Sequence, residues 1–132
     1  YASPEYLERH GNPSCIEELT SCKILVYGEE APSNISNINW ILTTLKEFDQ
    51  SIYPVFKVNN VYGLLLAIQS GLGIGSLPDY IVQGHKNVVK VLPEVEGPSF
   101  DAYYVYPEEL RKSKRVTIFR DFLIQKVAES TF

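Results

Sequence analysis

The feature that most limits what this chain can fold into is a change of apolar period that repeats along it. Ile24, Leu25, Val26 and Tyr27 form an unbroken apolar run after Lys23, closed by Gly28. A short run that is apolar at every position reads as a strand buried on both faces. Ile38, Ile41, Leu42, Leu45 and Phe48 then recur at helical spacing, with Thr43, Lys46 and Glu47 on the other face, so an amphipathic helix is expected from near Asn34 or Ser36. Pro54–Val58 reads as the next strand. Val61, Leu64, Leu65, Ile68 and Leu72 restore helical spacing up to Gly71, Gly73–Leu77 reads as a glycine-thinned strand, and Pro78–Val82 begins a short helix. Val88–Leu92 and Phe100–Tyr106 read as further strands, joined by a turn-rich link containing Gly97 and Pro98. Val116, Phe119, Phe122, Leu123 and Val127 mark a C-terminal helix. Ahead of all this, Ser3 caps a short helix with Pro4 at its first position, stopped by Gly11 and Pro13, and Ile16–Leu19 forms a turn with Ser14 as its cap. Strands that alternate with helices predict a three-layer α/β fold, its mostly parallel sheet flanked by helices. In such sheets ligands bind beyond the carboxyl ends of the strands.

The 132 residues suit one domain, and no apolar run approaches the length of a membrane span. The N-terminal residues lack the basic and apolar regions of a signal peptide, so a cytoplasmic location and no membrane partner are expected. A net charge of −4 argues against a protein that grips nucleic acid by itself. Arg111, Lys112, Lys114 and Arg115 form the one basic cluster and read as a solvated helix start. Cys15 and Cys22 are too few for a secreted disulfide framework, and with His10 and His85 they make no metal-ligand spacing, so free thiols are expected.

No catalytic set emerges. There is no Gly-x-Ser-x-Gly, and Glu17/Glu18 and Glu108/Glu109 lie in polar, solvated stretches. Gly71-Leu72-Gly73-Ile74-Gly75 follows a helix and opens a strand, the reverse of a dinucleotide fingerprint, so it reads as a helix cap followed by a strand pressed against other backbone. Two polar clusters stand where strands give way to helices: Pro32-Ser33-Asn34 after the first strand and Asn59-Asn60 after the second. Hydroxyl and amide side chains beside the N–H groups of helix starts suit a small anion; the same residues serve equally as caps and turn formers.

Ala2-Ser3-Pro4-Glu5-Tyr6-Leu7-Glu8-Arg9-His10-Gly11-Asn12-Pro13, Glu17-Glu18-Leu19, Val58-Asn59-Asn60, the block from Ala67 through Gly71-Leu72-Gly73-Ile74-Gly75-Ser76-Leu77-Pro78 to Tyr80, Val91-Leu92-Pro93, Tyr104-Val105-Tyr106-Pro107 and Arg115–Leu123 resemble, in this order, LysR-type transcriptional regulators. The resemblance implies one lobe of a two-lobed effector-binding domain like the type 2 periplasmic binding proteins: residues 2–107 as the second lobe and 108–132 as a helix returning to the first. It implies crossings between lobes at Ala2, Ser3 and Pro4 and at Tyr106 and Pro107. Pro32, Ser33, Asn34, Ile35, Asn59 and Asn60 are then the effector contacts. A winged helix that binds DNA and most of the first lobe lie outside the chain. The partners implied are a small-molecule effector, DNA only through that absent domain, and further copies in the full-length protein, with no cofactor, no metal and no enzymatic activity. The competing expectation is a fragment of a periplasmic solute-binding protein, which the upstream sequence distinguishes.

Overall fold

A computed structural model describes residues 1–28, 37–99 and 101–129. The chain forms two compact units, Tyr1–Ser99 and Phe100–Phe132. In the first unit α1 (Pro4–His10) is followed by a 3-10 turn (Glu17–Ser21), β1 (Ile24–Tyr27), α2 (Trp40–Phe48), β2 (Phe56–Val58), α3 (Val61–Gln69), β3 (Ile74–Gly75) and α4 (Asp79–Val82). The strands make one parallel sheet in the order β2-β1-β3. β1 lies between the other two, with Tyr27 opposite Val58 on one side and Ile24 opposite Ile74 on the other.

The unbroken apolar run of β1 has a simple cause: each of its faces is covered. Ile24 and Val26 join Tyr6, Leu19, Ile41 and Leu45 in one core, and Leu25 joins Leu64, Leu65, Ile68 and Leu77 in another. Side chains alternate across a strand, so one four-residue element serves two cores and this unit is layered helix–sheet–helix. Leu65 and Ile68 are fully buried, each contributing about 1.5–3 kcal/mol relative to exposure. Ser3 accepts the Tyr6 amide at 3.1 Å and caps α1. Gly11 follows with φ of 88°, and Gly71 ends the α3 turn with φ of 75°, conformations glycine adopts without penalty. A Cβ on Gly73 would lie 2.2 Å from the Lys23 carbonyl oxygen. The glycine-rich block is therefore a helix stop and a close strand contact.

Three expectations need correction. α2 begins at Trp40, after a 3-10 turn over residues 37–39, because the Asn39 side chain is engaged with β1. Residues 88–92 contribute one antiparallel bridge, Val89 with Ala2, in place of a strand. The ladder has no room to extend, since Ser3 already turns into α1 and Leu92 takes a positive φ of 52° ahead of Pro93. Residues 101–106 form no ladder among the described residues; an extended run becomes a strand only with a partner. The second unit contains a 3-10 turn (Glu108–Leu110) and α5 (Lys114–Glu129). Within it the Tyr104 ring stands 5.5 Å from Tyr106 and 5.9 Å from Phe119, and Ile118, Phe119, Phe122, Ile124 and Val127 are all at least half exposed.

Tyr1 and Ala2 are stitched into the first unit. The Tyr1 ammonium donates to the Gly75 carbonyl at 2.9 Å, the Gly75 amide donates back at 3.1 Å, and Ala2 exchanges two backbone bonds with Val89. Burial, then the nearby Lys90, lowers the Tyr1 ammonium from 8.0 to about 6. The Tyr1 phenol donates to Asp79 at 2.5 Å and is held well above its usual range by burial and by that bond. Between pH 6 and 8 the unfolded amine keeps a proton that the folded one has lost. Stability of a polypeptide beginning at Tyr1 should therefore rise with pH across that window, by about 2–3 kcal/mol, and level off on either side. Urea midpoints at pH 6 and 8 check this; N-terminal acetylation should flatten the rise, and an unchanged slope after acetylation would show that another group is responsible.

Candidate functional site

The carboxyl ends of β1 and β2 lie side by side because the strands are parallel and in register at Tyr27 and Val58. The Gly28 amide extends the pairing by donating to the Val58 carbonyl at 3.0 Å. Beyond it, the Tyr27 hydroxyl donates to the Asn59 carbonyl at 2.8 Å. The Asn59 side chain lies directly over Gly28: a Cβ at that glycine would fall 1.5 Å from Asn59 Oδ1. Gly28 is thus required by close approach, and the first β→α junction rests against the second.

Asn60 sits at the N-cap of α3 in extended backbone and its side chain accepts the Gly63 amide. The capping role therefore falls to Asn60, while the side chain of Asn59, also exposed, lies over Gly28. Gly63 is fitted between Val58 and Asn60, with the Val58 methyl 2.9 Å and the Asn60 amide nitrogen 3.0 Å from where a Cβ would stand. Pro32, Ser33, Asn34 and Ile35 lie outside the described residues. Of the six expected contacts, the structure accordingly brings Asn59 and Asn60 to the sheet's carboxyl edge beside Gly28.

Asn39 is a residue that sequence reasoning missed. Its Oδ1 accepts the Tyr27 amide at 2.9 Å and its Nδ2 donates to the Tyr27 carbonyl at 2.9 Å. Gly28 bonds toward β2, so the Tyr27 backbone groups point to the opposite side, where β3 has already ended at Gly75, opposite Leu25. The Asn39 amide occupies the place of a missing strand residue. The signal available was an amide side chain at the foot of a helix that follows a strand, which equally describes an ordinary cap.

Ala2 is fully buried, Ser3 nearly so, and Pro4 opens α1; Tyr106 is half-buried, and Pro107 precedes the 3-10 turn Glu108–Leu110. His10 stacks on Tyr6 with centroids 4.4 Å apart and its Nδ1 is 3.1 Å from the Tyr6 carbonyl oxygen. His85 is half-buried and shares a 3.1 Å hydrogen bond with Gln69. Burial pushes the Cys22 thiol up, which disfavours a reactive thiolate. Glu17, Glu18, Glu108 and Glu109 are exposed, as are Arg111, Lys112, Lys114 and Arg115 at the foot of α5. Among the described residues no group of three or more His, Cys, Asp or Glu is placed to hold a metal ion, and no helix is long and apolar enough to cross a membrane.

Gly28→Ala should displace the Asn59 side chain and destabilise the fold by about 1–3 kcal/mol. Removing that side chain with Asn59→Ala should recover much of the loss, giving a coupling energy of about 0.5–3 kcal/mol in a double-mutant cycle by urea denaturation. Strict additivity of the two substitutions would contradict the contact.

Three comparisons bear on this arrangement. The family model described as the LysR substrate binding domain matches residues 1–128. The HTH-type transcriptional regulator CrgA of Neisseria meningitidis serogroup C is 28% identical over 133 residues, covering 98% of this chain and 43% of the relative. YhjC, an uncharacterized HTH-type transcriptional regulator of Escherichia coli, is 28% identical over 134 residues, covering 92% of this chain and 42% of its own length. The chain thus spans less than half the length of these curated relatives. The solved regulatory domain of Neisseria meningitidis CrgA superposes with a TM-score of 0.66 at 26% identity, over 95% of this chain and 61% of that one. The parallel three-layer sheet is accordingly that of a periplasmic-binding-protein-like regulatory domain. By a match that spans almost its whole length, this chain belongs to the LysR substrate-binding domain family.

Proposed function

We propose that this chain is the second lobe, with the returning C-terminal segment, of the effector-sensing domain of a bacterial LysR-type transcriptional regulator. It binds a small anion in a cleft shared with a first lobe and transmits that binding to a DNA-binding domain, neither of which is in this chain. Pro32, Ser33, Asn34, Ile35, Asn59 and Asn60 supply the contacts on this side, and Asn60 also holds the start of α3 in place. The crossings run through Ala2–Pro4 and Tyr106–Pro107. The regulator works as a homo-oligomer in the cytoplasm and is not an enzyme.

One observation carries the reading: two β→α junctions abut at the carboxyl edge of adjacent parallel strands, with Gly28 under Asn59. That edge is where open α/β sheets bind ligands. The exposed side chains at that edge, Asn59 and Asn60, carry neutral amides, which bind an anion by donating hydrogen bonds. Relatives whose names describe helix-turn-helix regulators support the regulatory half. The mechanism is a population shift: a ligand that contacts both lobes favours the closed arrangement by its extra affinity for it. Half a cleft makes half the contacts, so the isolated chain should bind small carboxylates or inorganic anions with a Kd in the millimolar range or weaker. A protein that also contains the first lobe should bind one of them far more tightly. Calorimetric titration of both proteins with one panel of anions decides this. Micromolar binding by the isolated chain would contradict the shared cleft, and no binding of any anion by the two-lobe protein would contradict the ligand class.

A further inference from the structure

We propose that Asn39 is a positioning residue that makes the start of α2 a strut between the ligand-facing junction and the segment by which the chain leaves the first unit. The inference rests on the reading of the sheet edge at Gly28 and Asn59 as the ligand-facing platform, and adds to it how that platform is connected. At one end the Asn39 amide holds both backbone groups of Tyr27, each at 2.9 Å. Tyr27 in turn holds the Asn59 carbonyl through its hydroxyl at 2.8 Å. At the other end stands Trp40, the next residue and the chain's single tryptophan. Its indole lies so close to Gly97 that a Cβ there would be 3.2 Å from Nε1. Gly97 is two residues from Ser99, where the first unit ends. Trp40 and Val95 each pack against the core that holds Tyr6, Ile41 and Leu45, so this end is also held.

The chemistry of the clamp explains why it transmits position. A side-chain amide that both accepts from and donates to one residue fixes distance and rotation together, as a strand neighbour does. A helix start held this way moves with the end of β1. Displacement of the platform by a ligand is then passed along the start of α2 to Trp40 and to Gly97, which lies beside its indole. Asn39 spends its side chain on the strand and makes no capping bond of its own to α2, whereas Asn60 caps α3. The two junctions therefore differ in purpose: the second is fixed to its own helix, and the first is fixed to the sheet.

Amide hydrogen exchange on the isotopically labelled full chain tests the strut without any ligand. In Asn39→Ala the protection of the Tyr27 amide should fall about ten- to a hundredfold. The Val55 and Ile74 amides, which donate to Ile24 and Lys23 in the same sheet, should keep theirs, while the Gly97 amide and Trp40 indole resonances shift. Equal loss at Tyr27, Val55 and Ile74 would reduce Asn39 to a general stabiliser, and unchanged protection at Tyr27 would remove the clamp altogether. Should that variant fail to fold, Asn39→Asp keeps the shape and the acceptor but loses the donor to the Tyr27 carbonyl. It should shift the Gly97 and Trp40 resonances while Val55 and Ile74 stay in place; shifts confined to residues 38–40 and Tyr27 would overturn the strut. These outcomes leave the ligand platform untouched, whereas absence of anion binding by the two-lobe protein overturns the platform and leaves the clamp standing.

Discussion

The parallel pairing of β1 with β2, in register at Tyr27 and Val58, is the constraint from which the rest follows. A parallel pair cannot be joined by a tight turn, so the chain between them must cross back, and it does so through α2. Because both strands run the same way, both return connections leave from the same edge. Gly28 and Asn59 become neighbours by necessity once the register is set. A one-residue slip would turn Ile24 and Val26 into the α3 core and Leu25 into the α2 core, exchanging sets of side chains that each core is shaped to hold. Burial on both faces of β1 is thus what specifies the position of the polar edge.

The same logic explains where the sheet stops. β3 pairs for two residues; just before it Gly73 leaves no room for a side chain against the Lys23 carbonyl, and at Gly75 the fit against Leu25 is tight. Past Gly75 the partner of β1 is a side chain, Asn39, and past Val58 it is the phenol of Tyr27 that reaches Asn59. Ladder bonds give way to side-chain bonds just where the surface becomes polar. Backbone groups that would otherwise be buried without partners are satisfied there, and the edge stays ordered without a further strand.

Much of this was legible in the sequence. The all-apolar run Ile24–Tyr27, the helical spacing from Val61 to Ile68, the Ser3-Pro4 start and the Gly11 and Gly71 stops are local signals, and local interactions enforce them. Asn59 and Asn60 were found as a pair, yet their division of labour, one capping α3 and one lying over Gly28, depends on β1 and could not be read from the dipeptide. Asn39 escaped notice for the same reason: its partner is twelve residues away in the sequence. The runs Val88–Leu92 and Phe100–Tyr106 carried the right composition for strands, but a strand is defined by its neighbour, and Val89 finds only Ala2. Pro32–Ile35 lie outside the described residues, so their place at the site rests on the resemblance and on the junction they follow.

The functional reading therefore reduces to one short-range fact about two residues far apart in sequence. Nuclear Overhauser contacts in the labelled chain, between the Gly28 α-protons and the Asn59 side-chain amide, test it most directly. The account predicts strong contacts between these groups, together with one from the Tyr27 ring to Asn59. Their absence, with the Asn59 amide in contact only with its own helix, would mean that the two junctions do not share a surface, and the sensing platform would have no structural basis.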